Sequence, residues 1–241
     1  MIRIRSGLIV ACLLACPAMG VMAQQPAGGG LLAEAVKNKL AAIKQAQAEN
    51  KVALSQYSWT EHVQVSLNGE VKTTRQRSCR YGPDGKPQCT DSGPTSEQPP
   101  QRGGLVGRIR AEKKEEFVDY IKQVRELIAT YAPPDAARMQ AAHEAGNVSL
   151  SRPGSGEAGL VFRNYSLPGD SMTLDFSTAT RKLASLDVNS YLGDASSTVT
   201  LNVQFASLPD GTSYPAQETV DAAGKGLKLA VTNSDYQKLT P

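Results

Sequence analysis

The sequence predicts an α+β fold built on one strongly curved antiparallel sheet, a half-barrel covered on its concave side by three helical segments. Three observations carry this. Alternating apolar and polar runs separated by turn signals fill the chain from Val148 onward. A smaller set of such runs lies between Tyr57 and Asp91. Stretches with apolar residues at helical spacing stand before and between the two sets. The 241 residues are 40% hydrophobic and 20% charged, enough apolar content for a buried core and incompatible with global disorder.

Met1 to Ala23 reads as a secretory signal. Arg3 and Arg5 form its positive start, Gly7 to Ala15 its apolar stretch, and Val21-Met22-Ala23 a small-residue cleavage site. The apolar stretch is shorter than the ~20 residues that a membrane-spanning helix needs. Residues 24–30 follow as a flexible tail, and residues 31–241 form a single domain. The reading is therefore periplasmic. A second possibility is a lipoprotein, because Leu13-Leu14-Ala15-Cys16 resembles a lipobox and a lipidated Cys16 would anchor the chain to a membrane.

Leu32, Val36, Leu40, Ile43 and Ala46 predict an amphipathic helix over residues 31–49. Tyr57 to Leu67 then alternates as a strand and ends at Asn68-Gly69, a two-residue hairpin signal. Folding about that turn pairs Val63 with Thr74 and Val65 with Lys72. The returning strand carries Arg75, Arg77 and Arg80, which read as a solvated face on a rim strand. Pro83-Asp84-Gly85 turns the chain again. Cys79 and Cys89 are symmetric about Asp84, so a hairpin there sets them opposite each other, close enough for a disulfide in an exported protein. The rival reading is a reactive or metal-binding pair.

Residues 91–107 are a Pro/Gly-rich linker. Arg108 to Tyr131 is a long helix whose stripe comprises Phe117, Tyr120, Ile121, Val124, Leu127, Ile128 and Tyr131, and Pro133-Pro134 ends it. Asp135 to Ala145 is a short helix closed by Gly146. The strands that follow bring the count to about nine or ten, and a sheet of that size curls under its own twist. Helices on the concave apolar side make an apolar cavity the natural ligand site. Its candidate lining is Trp59, Phe117, Tyr120, Ile121, Val124, Leu127 and Ile128.

Conventional catalysis finds no support. His62 and His143 are the two histidines, and Asn147 stands where a zinc-protease motif starting at His143-Glu144 needs its second histidine. No Gly-x-Ser-x-Gly elbow occurs. Gly103 to Gly107 lacks the Gly-Lys-Ser/Thr ending of a phosphate loop. No cofactor or metal is called for. With 5% aromatics and a net charge of +3, two charges of it from the leader, nothing marks a nucleic-acid binder.

The order of elements, with the Trp-bearing strand Tyr57-Ser58-Trp59 and the segments Leu208-Pro209-Asp210-Gly211-Thr212 and Asn233-Ser234-Asp235-Tyr236, resembles the LolA-like periplasmic lipoprotein-carrier group. That resemblance implies an open half-barrel whose hollow takes acyl chains and opens when a helix moves. It implies a noncatalytic protein whose partner is a lipid or lipoprotein. The alternative is a cell-envelope structural or interaction module with a protein partner and no ligand.

Overall fold

A computed structural model describes residues 48–93, 104–151 and 156–239, with a few isolated positions besides. The expected signal segment with Cys16, the tail, most of the first helix and residues 94–103 of the linker lie outside the described residues. Residues 48–54 (α1) are helical and lead into the first strand.

Ten strands form one open antiparallel sheet. In chain order they are β1 (Tyr57–Leu67), β2 (Glu70–Tyr81), β3 (Pro87–Asp91), β4 (Val148–Ser151), β5 (Glu157–Arg163), β6 (Ser171–Ser177), β7 (Leu183–Tyr191), β8 (Thr198–Ser207), β9 (Ser213–Ala222) and β10 (Leu227–Lys238). The spatial order is β3-β2-β1-β10-β9-β8-β7-β6-β5-β4. Two meanders are thus joined by pairing the first strand with the last. Helices α2 (Gly104–Ile128) and α3 (Ala136–Glu144) are inserted between the meanders. Helix α2 begins at Gly104, inside the segment expected to be linker, so Gly104 and Gly107 belong to its first turns. Strand β10 runs on through Asn233-Ser234-Asp235-Tyr236, past its expected end at Thr232.

The register lines up apolar side chains across the sheet. One row runs Leu160–Leu174–Leu186–Val203–Glu218–Val231–Val63–Arg75. The next runs Phe162–Met172–Val188–Leu201–Val220–Leu229–Val65–Thr73. Between β4 and β8 these side chains are almost entirely buried, Leu160, Phe162, Met172 and Leu174 at 0% exposure. They pack with Tyr120, Val124, Tyr131 and Met139 in one core. This face is the concave one. The other carries His62, Gln64, Thr74, Thr200 and Gln204, all exposed.

The expected pairing of β1 with β2 is off by one residue. Asn68 (φ 50°) and Gly69 (φ 81°) form the tight turn, and Leu67 pairs with Glu70 and Ser66 with Val71 as the turn dictates. A bulge then absorbs Lys72, so Val65 pairs with Thr73 and Val63 with Arg75. Side chains alternate with period two, so one extra residue exchanges the faces of the rest of the strand. Arg75, Arg77 and Cys79 therefore share the concave face with Val63, Glu61 and Trp59. Arg80 alone of the three arginines stays on the outer face.

Local chemistry accounts for the helix ends. The Asp135 carboxylate accepts the Arg138 N–H at 2.8 Å and caps α3, and Gly146 at φ 72° lets the chain leave it. Met139 and Ala142 turn α3 onto the core. At the opposite end, Asn50 of α1 exchanges two hydrogen bonds with Ser213 at the start of β9, both 2.7 Å. The Tyr57 hydroxyl donates to Asp210 at 2.6 Å, spanning from β1 to the turn before β9. These bonds bring elements two strands apart together and hold the sheet's curl.

Candidate functional site: the concave floor

The structure brings together six of the seven residues expected to line a cavity. Tyr120 and Val124 are buried members of the main core, and Phe117, Ile121, Leu127 and Ile128 pack half-buried against it. They lie on one face of α2 because positions three and four apart on a helix share a side. Below them, Leu186, Val188, Leu201 and Val203 fill the space. Trp59 is elsewhere. It is buried, at 6% exposure, in a second, aromatic cluster on β1, β2, β9 and β10.

In that cluster the Trp59 ring stacks on Tyr236 with centroids 5.7 Å apart and planes 11° from parallel. Tyr81 lies tilted against Trp59 at 5.0 Å, and Tyr214 against Tyr236 at 4.3 Å. A second bulge makes this possible. Between Ser58 and Thr60 the register of β1 with β10 shifts, and Asp235 takes a φ of 52°. The extra residue turns Tyr236 onto the concave side. Burial raises the phenol pKa of Tyr236 and Tyr81. Cys79 pairs with Trp59 across β1 and β2, and with Cys89 across β2 and β3. The two cysteines form the disulfide, their Cα atoms 4.1 Å apart.

Beside the rings lies a group of polar side chains on the same face. Arg77 forms an ion pair and hydrogen bonds with Glu61. Asn233, opposite Glu61 in the register, is 7% exposed and donates its amide N–H to the Pro215 carbonyl at 2.9 Å. Its Oδ1 has no hydrogen-bond partner. Glu218 interrupts the apolar row between Val203 and Val231. Burial first, and the nearby Glu61 second, raise its pKa above the ordinary glutamate value of 4.5.

This has a consequence for stability. A carboxyl whose folded-state pKa exceeds its unfolded value binds its proton more tightly in the folded protein. Its contribution is fully present below pH 4.5 and is lost as the pH rises through the raised value. Glu218→Gln is expected to raise the urea midpoint at neutral pH and to flatten the decline between mildly acidic and neutral pH. Equal midpoints of the two proteins across that range would show that Glu218 is solvated.

Other chemistry among the described residues is sparse. Glu61, Cys79 and Cys89 bring potential metal-binding atoms within 4.8 Å of one another, but the sulfurs are bonded to each other and leave no thiolate. His62 is exposed on the outer face, and His143 lies in the last turn of α3. A shallow depression of about 310 Å³ opens on the outer side of β1, β2 and β3, lined by Ser58, Ser78, Arg80, Gln88 and Thr90 beside Cys79. No described helix is long and apolar enough to cross a membrane.

Sequence reasoning missed Glu218, Asn233 and Tyr236. Glu218 had a readable signal, because it has the same strand parity as Val220 and Ala222 and so points with them toward the core. Asn233 and Tyr236 had none, because both depend on β10 continuing past Thr232 and bulging at Asp235.

The architecture is the open, curved antiparallel half-barrel with helices that the order of elements implied. Among solved structures the chain is similar to a DUF1329 family protein from Desulfovibrio piger, with 12% identity and a TM-score of 0.40 over 86% of this chain and 92% of that one. It is also similar to a LolA superfamily protein from Nitrosomonas europaea, with 10% identity and a TM-score of 0.31 over 78% of this chain and 87% of that one. No protein-family model and no curated protein matches the chain.

Proposed function

We propose that the protein is a noncatalytic, exported binding protein that takes a hydrophobic ligand, an acyl chain or a lipidated protein, on the concave face of its half-barrel. One observation carries the reading. The apolar rows of the sheet run past the core beneath α2 and α3. Val63 and Val231 continue the first row but stand outside the core cluster and are only half-buried. Val65 and Leu229 continue the second row, also half-buried. An apolar strip of this kind beside a buried aromatic wall is the composition of a lipid-binding hollow. The stripe of α2 from Phe117 to Ile128 is its movable cover in this reading, and Trp59 closes its far end. Export follows from the leader read in the sequence.

Native mass spectrometry of the chain purified without detergent from a Gram-negative host tests this. The expected result is an added mass matching a fatty acid or phospholipid, removed by organic extraction. A bare mass together with one stable protein partner in pull-down would replace the reading with that of an envelope interaction module.

A further inference from the structure

The polar group on the concave floor has a composition that the carrier reading leaves unused. Glu218 lies in a row of apolar residues, between Val203 and Val231. Glu61 is held by Arg77. Asn233, between the two glutamates on the intervening strand, presents a buried carbonyl oxygen with no donor. Buried acceptors without donors are costly, by about 1–3 kcal/mol each, and are rare in native proteins unless something binds them. The Asn233 oxygen asks for an N–H or O–H donor, and the carboxylates of Glu218 and of Glu61, the latter paired with Arg77, offer further acceptors beside it. The adjoining wall is the Trp59, Tyr81 and Tyr236 cluster, in which Trp59 is buried and the two tyrosines are half-buried. Aromatic faces next to carboxylates favour an organic cation over a hydrated metal ion. Arg75 and Arg77 stand on the next strand of the same face.

We propose that this group binds a primary alkylammonium, the amine end of an amphiphile whose chain lies along the apolar strip. A primary ammonium carries three N–H donors for Glu218, Asn233 and Glu61. A trimethylammonium would satisfy the rings but leave the Asn233 oxygen without a donor. An anionic or uncharged headgroup would leave Glu218 unpaired. The inference rests on the reading that the concave face takes a hydrophobic ligand, and it adds the identity of the polar end.

The test is calorimetric titration of the purified chain with lysophosphatidylethanolamine, lysophosphatidylcholine and lysophosphatidylglycerol of one chain length, and separately with octylamine. Charge-assisted hydrogen bonds to a buried carboxylate are strong enough to make the ethanolamine lipid bind about tenfold or more tighter than the other two. Glu218→Gln, expected to fold at least as stably as the parent, brings the three affinities within about twofold of one another, the loss of one charged partner. The exposed outer-face variant His62→Gln keeps the preference. Equal affinities for the three lipids in the parent overturn the ammonium site while leaving the carrier reading intact. Binding of octylamine but of no lysolipid supports the site and removes the carrier reading. Binding of none of the four overturns both.

Discussion

Asp170→Ala is expected to lower the unfolding free energy by about 3–5 kcal/mol, because it strips the partner from several buried donors at once. The Asp170 carboxylate, 2% exposed, accepts the backbone N–H groups of Tyr165 at 2.6 Å, Ser166 at 2.9 Å and Leu167 at 2.6 Å. It also accepts the Tyr131 hydroxyl at 2.5 Å, and that hydroxyl stands 2.8 Å from Ser190 on β7. One side chain thus organises the β5–β6 connection and fixes to it Tyr131, in the turn after α2. Burial and the hydrogen bond to Asp170 hold the Tyr131 phenol protonated far above the ordinary tyrosine range. Alanine leaves the N–H groups facing protein with nothing to accept them. Tyr131→Phe removes one hydroxyl, keeps the ring in place, and should cost only about 1–2 kcal/mol. Urea unfolding of the two variants measures the difference. Equal losses would mean that the loop finds other acceptors when Asp170 is gone. For a domain with a total stability of about 5–15 kcal/mol, the Asp170 loss is a large share.

Breaking the Cys79–Cys89 bond is the second large effect. The pair closes a loop with a sequence separation of 10. In the chain-entropy account a loop of this length contributes about 3 kcal/mol by restricting the unfolded chain. Cys79 is 1% exposed and abuts Trp59, so Cys79→Ser adds the burial of a hydroxyl to the loss of the bond. The variant, and separately the parent in reductant, should unfold at lower urea concentration, the variant lower still. The Cys79–Cys89 hairpin lies at the sheet's edge, because β3 has a neighbour on one side only. Ligand affinity of the folded variant should therefore match the parent's. A selective loss of affinity with unchanged stability would place the disulfide in the binding machinery.

Much of this architecture is legible from local physics. The turn at Asn68-Gly69, the hairpin about Asp84 that opposes the cysteines, the cap at Asp135 and the stop at Gly146 each depend on a few adjacent residues. Alternation in Met172–Phe176 and Val199–Phe205 is enough by itself to mark the inward face of those strands. The stripe on α2 did the same for its helix. These signals are short-range, so one chain read in order suffices to see them.

What tertiary structure alone decided lies where distant segments meet. Nothing in β1 or β10 announces that they pair, yet that pairing joins the two meanders and brings Glu61 against Asn233. Lys72 looks like an ordinary strand residue in the sequence and Asp235 lies past the expected end of β10, and each sits where the register slips. The slip at Lys72 carries Arg75 and Arg77 from the outer face to the inner one, and the slip at Asp235 carries Tyr236 onto Trp59. A bulge costs little locally and is selected by what it lets the sheet bury, here the aromatic cluster and the disulfide. Sequence therefore determined which segments are strands and helices and where most of them turn. The composition of the concave floor followed only from register, because a shift of one residue reverses which side chains meet.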